Sequence, residues 1–261
     1  MNLDPSLDEL SVFACRLADA ARGETLKRWQ GAGAARNKAQ GGYDPVTEAD
    51  VAAEAAMRAM IREAYPEHGI AGEEFAEQAA AGPYCWSLDP IDGTRSFVCG
   101  LPTWVTLIAL LRDGDPVLGI IDAPRLDERY LGHGQSAWLM SGSAALATSG
   151  CAQLPDARLS TTDPELFDEG QGAAFARLRS KCRVVRYGHD GYAYARLAAG
   201  SLDLIIEAGL QPYDLMALVP VVRGAGGTIG NWRGGADLTR GDVVAAATPE
   251  LFAAAVAVLN A

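Results

Sequence analysis

Four acidic residues stand where the chain leaves apolar runs: Glu73 in "GEE", Asp89 and Asp92 in "DPIDGT", and Asp214 in "PYD". Acidic groups placed after strands gather at one edge of a sheet, where loops build sites. Carboxylates brought together repel one another unless protons or cations relieve them. A set of oxygen-only ligands suits a hard cation such as Mg2+. Two such ions can activate water and stabilise both the attacking and the leaving oxygen of a phosphoryl transfer. Pro90 fixes the backbone between the two aspartates, Ile91 offers a carbonyl, and "GTRS" brings Gly93 and Thr94 amides that can cradle a phosphate at a helix start. Taken singly, each acid is also an ordinary turn residue. The residues alone lead to a magnesium site with phosphoryl chemistry, and they do not tie the distant Asp214 to the other three.

The elements that must position these groups are legible in outline. Leu7 to Trp29 is a helix with Leu10, Phe13, Ala14, Leu17 and Ala18 on one face, opened by a capping box of Ser6 and Glu9. "QGAGAARNKAQGGYDP" then reads as a loop, with Arg36 and Lys38 as a solvated charge pair. A second helix is expected from Glu48 to Ala64, capped by Thr47, ended by Pro66, and buried along Ala52, Ala55, Ala56, Ala59 and Met60. "HGIAGEEF" is a short strand entering an acidic turn, and "YCWSLD" a buried strand ending at Asp89. "TWVTLIALLRDGDPVLGIIDAP" and "RYLGHGQSAWLM" are hairpins turning at "RDGDP" and at Gly134. After a small, polar stretch from Ser141 to Asp156 the chain alternates strand and helix. That division suggests a half over 1–145 carrying the "DPIDGT" site and a half over 146–261 carrying Asp214. "GAGG" at Gly224 to Gly227 reads as a helix-to-strand turn, since a dinucleotide fingerprint needs a preceding strand.

At 261 residues the chain can bury a substantial core. Its formal net charge of -11 argues against nucleic-acid backbones and anionic membranes as partners. Bound cations would still let it meet a small phosphorylated molecule. The N-terminus has no basic region before an apolar core and does not read as a signal peptide. No uninterrupted apolar stretch is long enough to span a membrane. Five scattered cysteines fit reduced thiols, so a cytoplasmic location is expected.

"GEE", "DPIDGTRSF" and "YDLMALVPVVRGAGG", in that order, closely resemble the signatures of the inositol monophosphatase family, and the likeness runs from "DPVTEAD" to the glycine turn. The resemblance implies a layered α/β/α/β/α sandwich with a mostly antiparallel N-terminal sheet, usually dimeric, and a magnesium-dependent, lithium-sensitive phosphatase using two to three ions. Carried over by motif, Glu73, Asp89 and the Ile91 carbonyl would hold the first metal, and Asp89, Asp92 and Asp214 the second, with a further ion near Glu73. Glu73 and Thr94 would orient the attacking water, and Asp50 of "TEAD" would hydrogen-bond to Thr94. Asp92, Gly93 and Thr94 would meet the phosphate. The implied reaction is direct in-line attack by activated water; the DxDxT pattern of aspartyl-phosphate enzymes does not occur here.

Within the family the chain looks most like the histidinol-phosphate phosphatases, on "DGTRSFVCGLPTWVTLIAL" and "YGHDGYAYARLAAGSLDLIIEAGLQPYD", with Tyr213 before the metal aspartate. Arg95 departs from the Lys frequent in that branch, and His189 from a frequent Gly. Histidinol phosphate carries an ammonium and an imidazole, so acidic pocket groups suit it. Glu207 matches the family position that contacts the alcohol, Asp190 is a second acidic candidate, and Arg95 follows the phosphate motif. Trp104 can be core or pocket wall, and Tyr192 and Tyr194 on one helix cannot both face a substrate. The alternatives are inositol monophosphate, fructose 1,6-bisphosphate or a 3'-phosphonucleotide with the same chemistry. A non-enzymatic binding protein is a third reading, but it would be expected to show a broken ligand set.

Overall fold

The computed structural model of the chain describes residues 6–29, 36–37 and 45–261. Most of the expected loop "QGAGAARNKAQGGYDP", with Lys38 and the side chain of Arg36, lies outside the described residues. In chain order, α1 (Leu7–Trp29) is followed by β1 (Arg36–Asn37), β2 (Pro45–Val46), α2 (Glu48–Ala64), β3 (Gly69–Gly72), β4 (Tyr84–Asp92), α3 (Thr94–Val98), β5 (Val105–Arg112), β6 (Asp115–Ala123), β7 (Glu128–His133), β8 (Ser136–Leu139) and β9 (Ala144–Ala145). Next come β10 (Arg158–Thr161), α4 (Glu169–Arg179), β11 (Val184–Tyr187), α5 (Asp190–Ala198), β12 (Leu204–Glu207), α6 (Pro212–Leu215), α7 (Leu218–Gly224), β13 (Thr228–Gly230), β14 (Val243–Ala246) and α8 (Pro249–Leu259).

Two sheets carry the fold. The larger runs β3-β4-β5-β6-β7-β8-β9, parallel between β3 and β4 and antiparallel elsewhere. The smaller runs β11-β10-β12-β14-β13, with β10 parallel to both of its neighbours. Successive strand residues point to opposite faces, and here each face finds its own helical layer. Ile108 and Leu110 of β5 pack with α1 and α2, whereas Leu107 and Ala109 pack with α5 and α7. Ile205 of β12 joins that central layer from the second sheet, while Leu204 and Ile206 face α4 and α8. The layers therefore alternate α/β/α/β/α, as expected. The central core draws on residues from both sides of position 145.

The turns follow their chemistry. Asp113 and Gly114 both have positive φ, 53° and 89°, as a tight two-residue hairpin between β5 and β6 requires. Ser6 and Glu9 form the expected reciprocal cap on α1, with Ser6 N donating to Glu9 Oε2 at 2.8 Å. The buried face of α1 is the predicted one. That of α2 is not. Ala55 and Ala59 are exposed and Ala52, Ala56 and Met60 only partly covered, whereas Ala53, Glu54, Met57, Arg58 and Ile61 are buried. The reason is an ion pair: Arg58 Nε donates to Glu54 Oε1 at 2.7 Å, with both side chains essentially inaccessible. All five cysteines are free thiols. Among the described residues no helix is long and apolar enough to cross a membrane.

Candidate active site

β4 ends in a kink that presents two aspartates. Asp89 pairs with Leu107 of β5 and Asp92 with Val105, so one extra residue is inserted between them. Pro90 at this point has no N–H to give to the ladder, and its carbonyl accepts from Thr106 Oγ1 at 2.8 Å. Asp89 Oδ1 accepts from the Ile91 amide at 3.0 Å. Gly93 follows at φ 83°, a left-handed conformation that suits glycine, and starts α3. The third aspartate arrives from far along the chain. Asp214 is the third residue of α6, and its Oδ2 accepts from the Gln211 amide at 2.7 Å in a capping box.

One carboxylate oxygen from each of Asp89, Asp92 and Asp214 lies within 4.8 Å of the other two. Each carboxylate is oriented through one oxygen by a backbone amide: Ile91 for Asp89, Gly191 for Asp92, Gln211 for Asp214. Burial, and then the charges of Glu73, Asp92 and Asp214, push the Asp89 carboxyl well above the usual carboxylate range. Burial with Asp190 and Asp214 does the same to Asp92. Carboxylates crowded in this way bind either protons or cations. An all-oxygen donor set of this size fits a hard divalent ion.

A second acidic cluster, Asp50, Glu73 and Glu74, stands beside the first. Asp50 is fixed as a capping-box residue of α2, accepting from Thr47 N at 2.8 Å and Thr47 Oγ1 at 2.6 Å. Its carboxyl is raised to about 6, chiefly by burial. The turn holding Glu73 and Glu74 is anchored by the buried ion pair of α2. Glu54 Oε2 accepts from the Glu74 amide at 2.8 Å, and Arg58 donates to the carbonyls of Phe75 and Ala76. The implied Asp50–Thr94 bond is replaced by two others. Asp50 is taken by its own helix cap, and Thr94 Oγ1 donates to the Ile91 carbonyl at 3.0 Å. Glu73, expected with Asp89, groups with Asp50 and Glu74, and its charge acts on Asp89.

A cavity of about 320 Å³ opens beside the aspartates, lined by Asp92, Gly93, Thr94, Arg95, Asp190 and Asp214 and further by Thr162, Tyr194 and Glu207. Glu207 is 3% exposed and accepts from Thr162 N, Thr162 Oγ1 and Thr161 Oγ1 at 2.8, 3.0 and 3.3 Å. Burial outweighs those bonds and lifts its carboxyl to about 8. Asp190, at φ 46°, faces Ser96 Oγ across 3.5 Å, and burial lifts it to about 6. Arg95 is exposed at the rim, 3.5 Å from Asp163.

Trp104 belongs to the core, edge-on to Phe97 with ring centroids 5.0 Å apart. His189 sits outside the cavity lining, its Nδ1 3.4 Å from Ser160 Oγ. Sequence reasoning missed Glu54, Arg58, Thr161 and Thr162. The "EAAMR" spacing of α2 was a visible signal for the first pair; nothing local marked the threonines.

The chain matches the inositol monophosphatase family over residues 6–261. It is 45% identical over 237 residues to the chloroplastic bifunctional phosphatase IMPL2 of Arabidopsis thaliana, covering 88% of this chain but 66% of that longer protein. It is 36% identical over 252 residues to the histidinol-phosphatase of Mycobacterium tuberculosis, covering 92% of this chain and 94% of the relative. Among solved structures, an inositol monophosphatase from Zymomonas mobilis superposes with a TM-score of 0.87 at 36% identity, over 98% of this chain and 100% of the other. On the fold, the paired acidic clusters and these likenesses, the chain belongs to the inositol monophosphatase family.

Proposed function

We propose that this chain is a magnesium-dependent phosphomonoesterase of small phosphorylated alcohols, and that its pocket takes L-histidinol phosphate, releasing L-histidinol and inorganic phosphate. The coarser part rests on family membership and on two acidic clusters placed for divalent metal. The observation that carries it is the convergence of Asp89, Asp92 and Asp214 from two separate elements, with Asp92 and Asp214 lining the cavity.

In this reading Glu73, Asp89 and the Ile91 carbonyl hold one Mg2+, and Asp89, Asp92 and Asp214 hold a second. When bound, these ions supply an activated water and charge stabilisation for the departing oxygen. Glu73 and Thr94 orient the water. Thr94 does so from a hydroxyl already fixed on Ile91, and Asp50 contributes by pinning the start of α2 beside Glu73. Gly93 and Thr94 amides and Asp92 meet the phosphate, with Arg95 at the rim.

The histidinol assignment comes from the acids of the pocket. Glu207 and Asp190 line the same cavity as Asp92 and Asp214; Asp190 already feels the charge of Arg95, while burial makes ionising Glu207 costly without a cationic partner. A ligand ammonium supplies that partner, and a charge-assisted bond in a desolvated site is a strong selector. The histidinol-phosphatase relative at 36% identity supports the same reading. A second reading, myo-inositol 1-phosphate, is the one that the comparisons favour better. The well-superposed Zymomonas mobilis structure is an inositol monophosphatase, and the 45% relative is named only as a bifunctional phosphatase. A cytoplasmic homodimer goes with either.

The test is kcat/KM for phosphate release in magnesium, comparing L-histidinol phosphate with myo-inositol 1-phosphate on one preparation. A preference of about a hundredfold or more for the histidinol ester supports the first reading. Comparable or reversed values support the second, and turnover of neither ester would shift the reading to fructose 1,6-bisphosphate or a 3'-phosphonucleotide, with a binding role left only if those too are untouched.

A further inference from the structure

Helix α5 carries two tyrosines, and they meet different surroundings. Tyr192 donates to Glu128 Oε2 at 2.9 Å, the same oxygen that accepts from Tyr130, so its hydroxyl is committed to a network on β7. Tyr194 is 1% exposed and lines the cavity beside Glu207 and Asp214. Its hydroxyl oxygen has no hydrogen-bond partner among the described residues. Buried phenol hydroxyls ordinarily find a partner, and one left unpaired loses the hydration it had in the unfolded chain. Among the described residues the buried side-chain polar atoms in that condition are on Trp29, Thr103, Trp104, Tyr194 and Asp242, and of these the one on Tyr194 alone belongs to a residue lining this cavity.

We propose that the Tyr194 hydroxyl is a ligand-facing group that pairs with a polar atom on the alcohol half of the bound ester, beside Glu207. The inference rests on the reading of this cavity as the ester's binding site. A phenol hydroxyl both donates and accepts, so it can pair with either kind of polar atom. Glu207, the acid assigned above to the alcohol half of the ester, lines the same cavity as Tyr194. An ammonium between Glu207 and Tyr194 would donate to both, and a polyol hydroxyl could pair with the phenol alone. In either case the ligand supplies the bond that the folded protein leaves unmade.

The test is Tyr194→Phe, which removes one oxygen and keeps the ring. On the alkyl ester that the wild type hydrolyses, kcat/KM is expected to fall about ten- to a hundredfold, carried by KM. On p-nitrophenyl phosphate the change is expected to stay within about threefold, as is competitive inhibition by inorganic phosphate. Titration calorimetry should show the product alcohol binding about tenfold more weakly. Tm should be unchanged or higher, because no bond within the protein is lost. Equal losses on alkyl and aryl esters, no loss on the alkyl ester, or a lowered Tm would overturn the proposal. If the wild type prefers myo-inositol 1-phosphate, the histidinol reading falls, and Tyr194 is judged by the same ratio on that ester. If the wild type hydrolyses no ester, the cavity reading falls and this proposal falls with it.

Discussion

The backbone amide of Gly191 donates to Asp92 Oδ2, clamping the first turn of α5 to the end of β4. The contact leaves no room for a side chain. A Cβ at position 191 would stand 2.4 Å from that oxygen and 3.1 Å from Val105 Cγ2. Gly191→Ala must therefore displace either the helix or the carboxylate. We expect its magnesium activation constant to rise about ten- to a hundredfold, as when groups that orient metal ligands are altered. Gly82→Ala, whose added methyl meets nothing within 4 Å, is the control and should leave that constant unchanged. A titration of initial rate against magnesium checks both.

Asp92→Asn separates the metal's role from the fold's. Asparagine keeps the shape and can still accept from Gly191 through its amide oxygen, but it removes a charge that Asp190 and Asp214 repel. In chelator the variant should melt no lower than wild type. In magnesium the wild type should gain Tm and the variant should not, since binding to the folded state is what stabilises. Turnover should fall about a thousandfold or more with loss of a charge-stabilising ligand. Retained turnover with ordinary magnesium dependence would sink the assignment of Asp92 as a ligand.

The part of this site that sequence alone could reach is the part written in local patterns. The face of α1 was legible because Leu10, Phe13, Leu17 and their neighbours are apolar and spaced for one stripe. The β5–β6 hairpin was legible because "RDGDP" states its own turn. On α2 the same logic chose the alanines, since Glu54 and Arg58 look like surface residues until each neutralises the other in the interior. Asp50 illustrates a different limit. The residue was identified, but which partner takes a capping carboxylate is settled by the first turn of its own helix, and Thr47 lies closer along the chain than Thr94. Thr161 and Thr162 reach Glu207 only because β10 and β12 are neighbours in a parallel ladder, a pairing that no local pattern encodes.

Arg58 tests whether the acidic turn depends on that buried pair. Arg58→Met keeps much of the volume and leaves Glu54 without its partner beneath the Glu73 turn. Removing one member of a buried pair costs about 3–5 kcal/mol. Urea unfolding of the metal-free protein should show a loss of that order, with magnesium affinity reduced beyond what stability explains. The double variant Glu54→Gln with Arg58→Met should recover part of the stability, because no uncompensated charge is left buried. A double variant as unstable as the single one would mean that shape, and not charge, is what the pair provides.

Glu207 gives the pH dependence a definite sign. Its carboxyl is lifted to about 8 by burial, against the bonds from Thr162 and Thr161 that pull it down. A carboxyl raised on folding holds its proton more tightly in the native state than in the unfolded one. The stability it contributes is therefore complete below the unfolded value, about 4.3, and is lost as pH rises through about 8. In chelator, the Tm of wild type should fall across that window. Asp50 and Asp190, each raised to about 6, account for the earlier part of the fall, and Asp89 and Asp92, also raised by burial and by the charges of neighbouring acids, contribute beside Glu207. Glu207→Gln should make the later part, above about pH 6.5, measurably shallower. The same ionisation prepares the pocket for an ammonium. KM for L-histidinol phosphate should accordingly drop as pH approaches 8, KM for p-nitrophenyl phosphate should not follow it, and Glu207→Gln should abolish the difference. Parallel pH profiles for the two esters would remove Glu207 from amine recognition and leave it a buried acid held by its threonines.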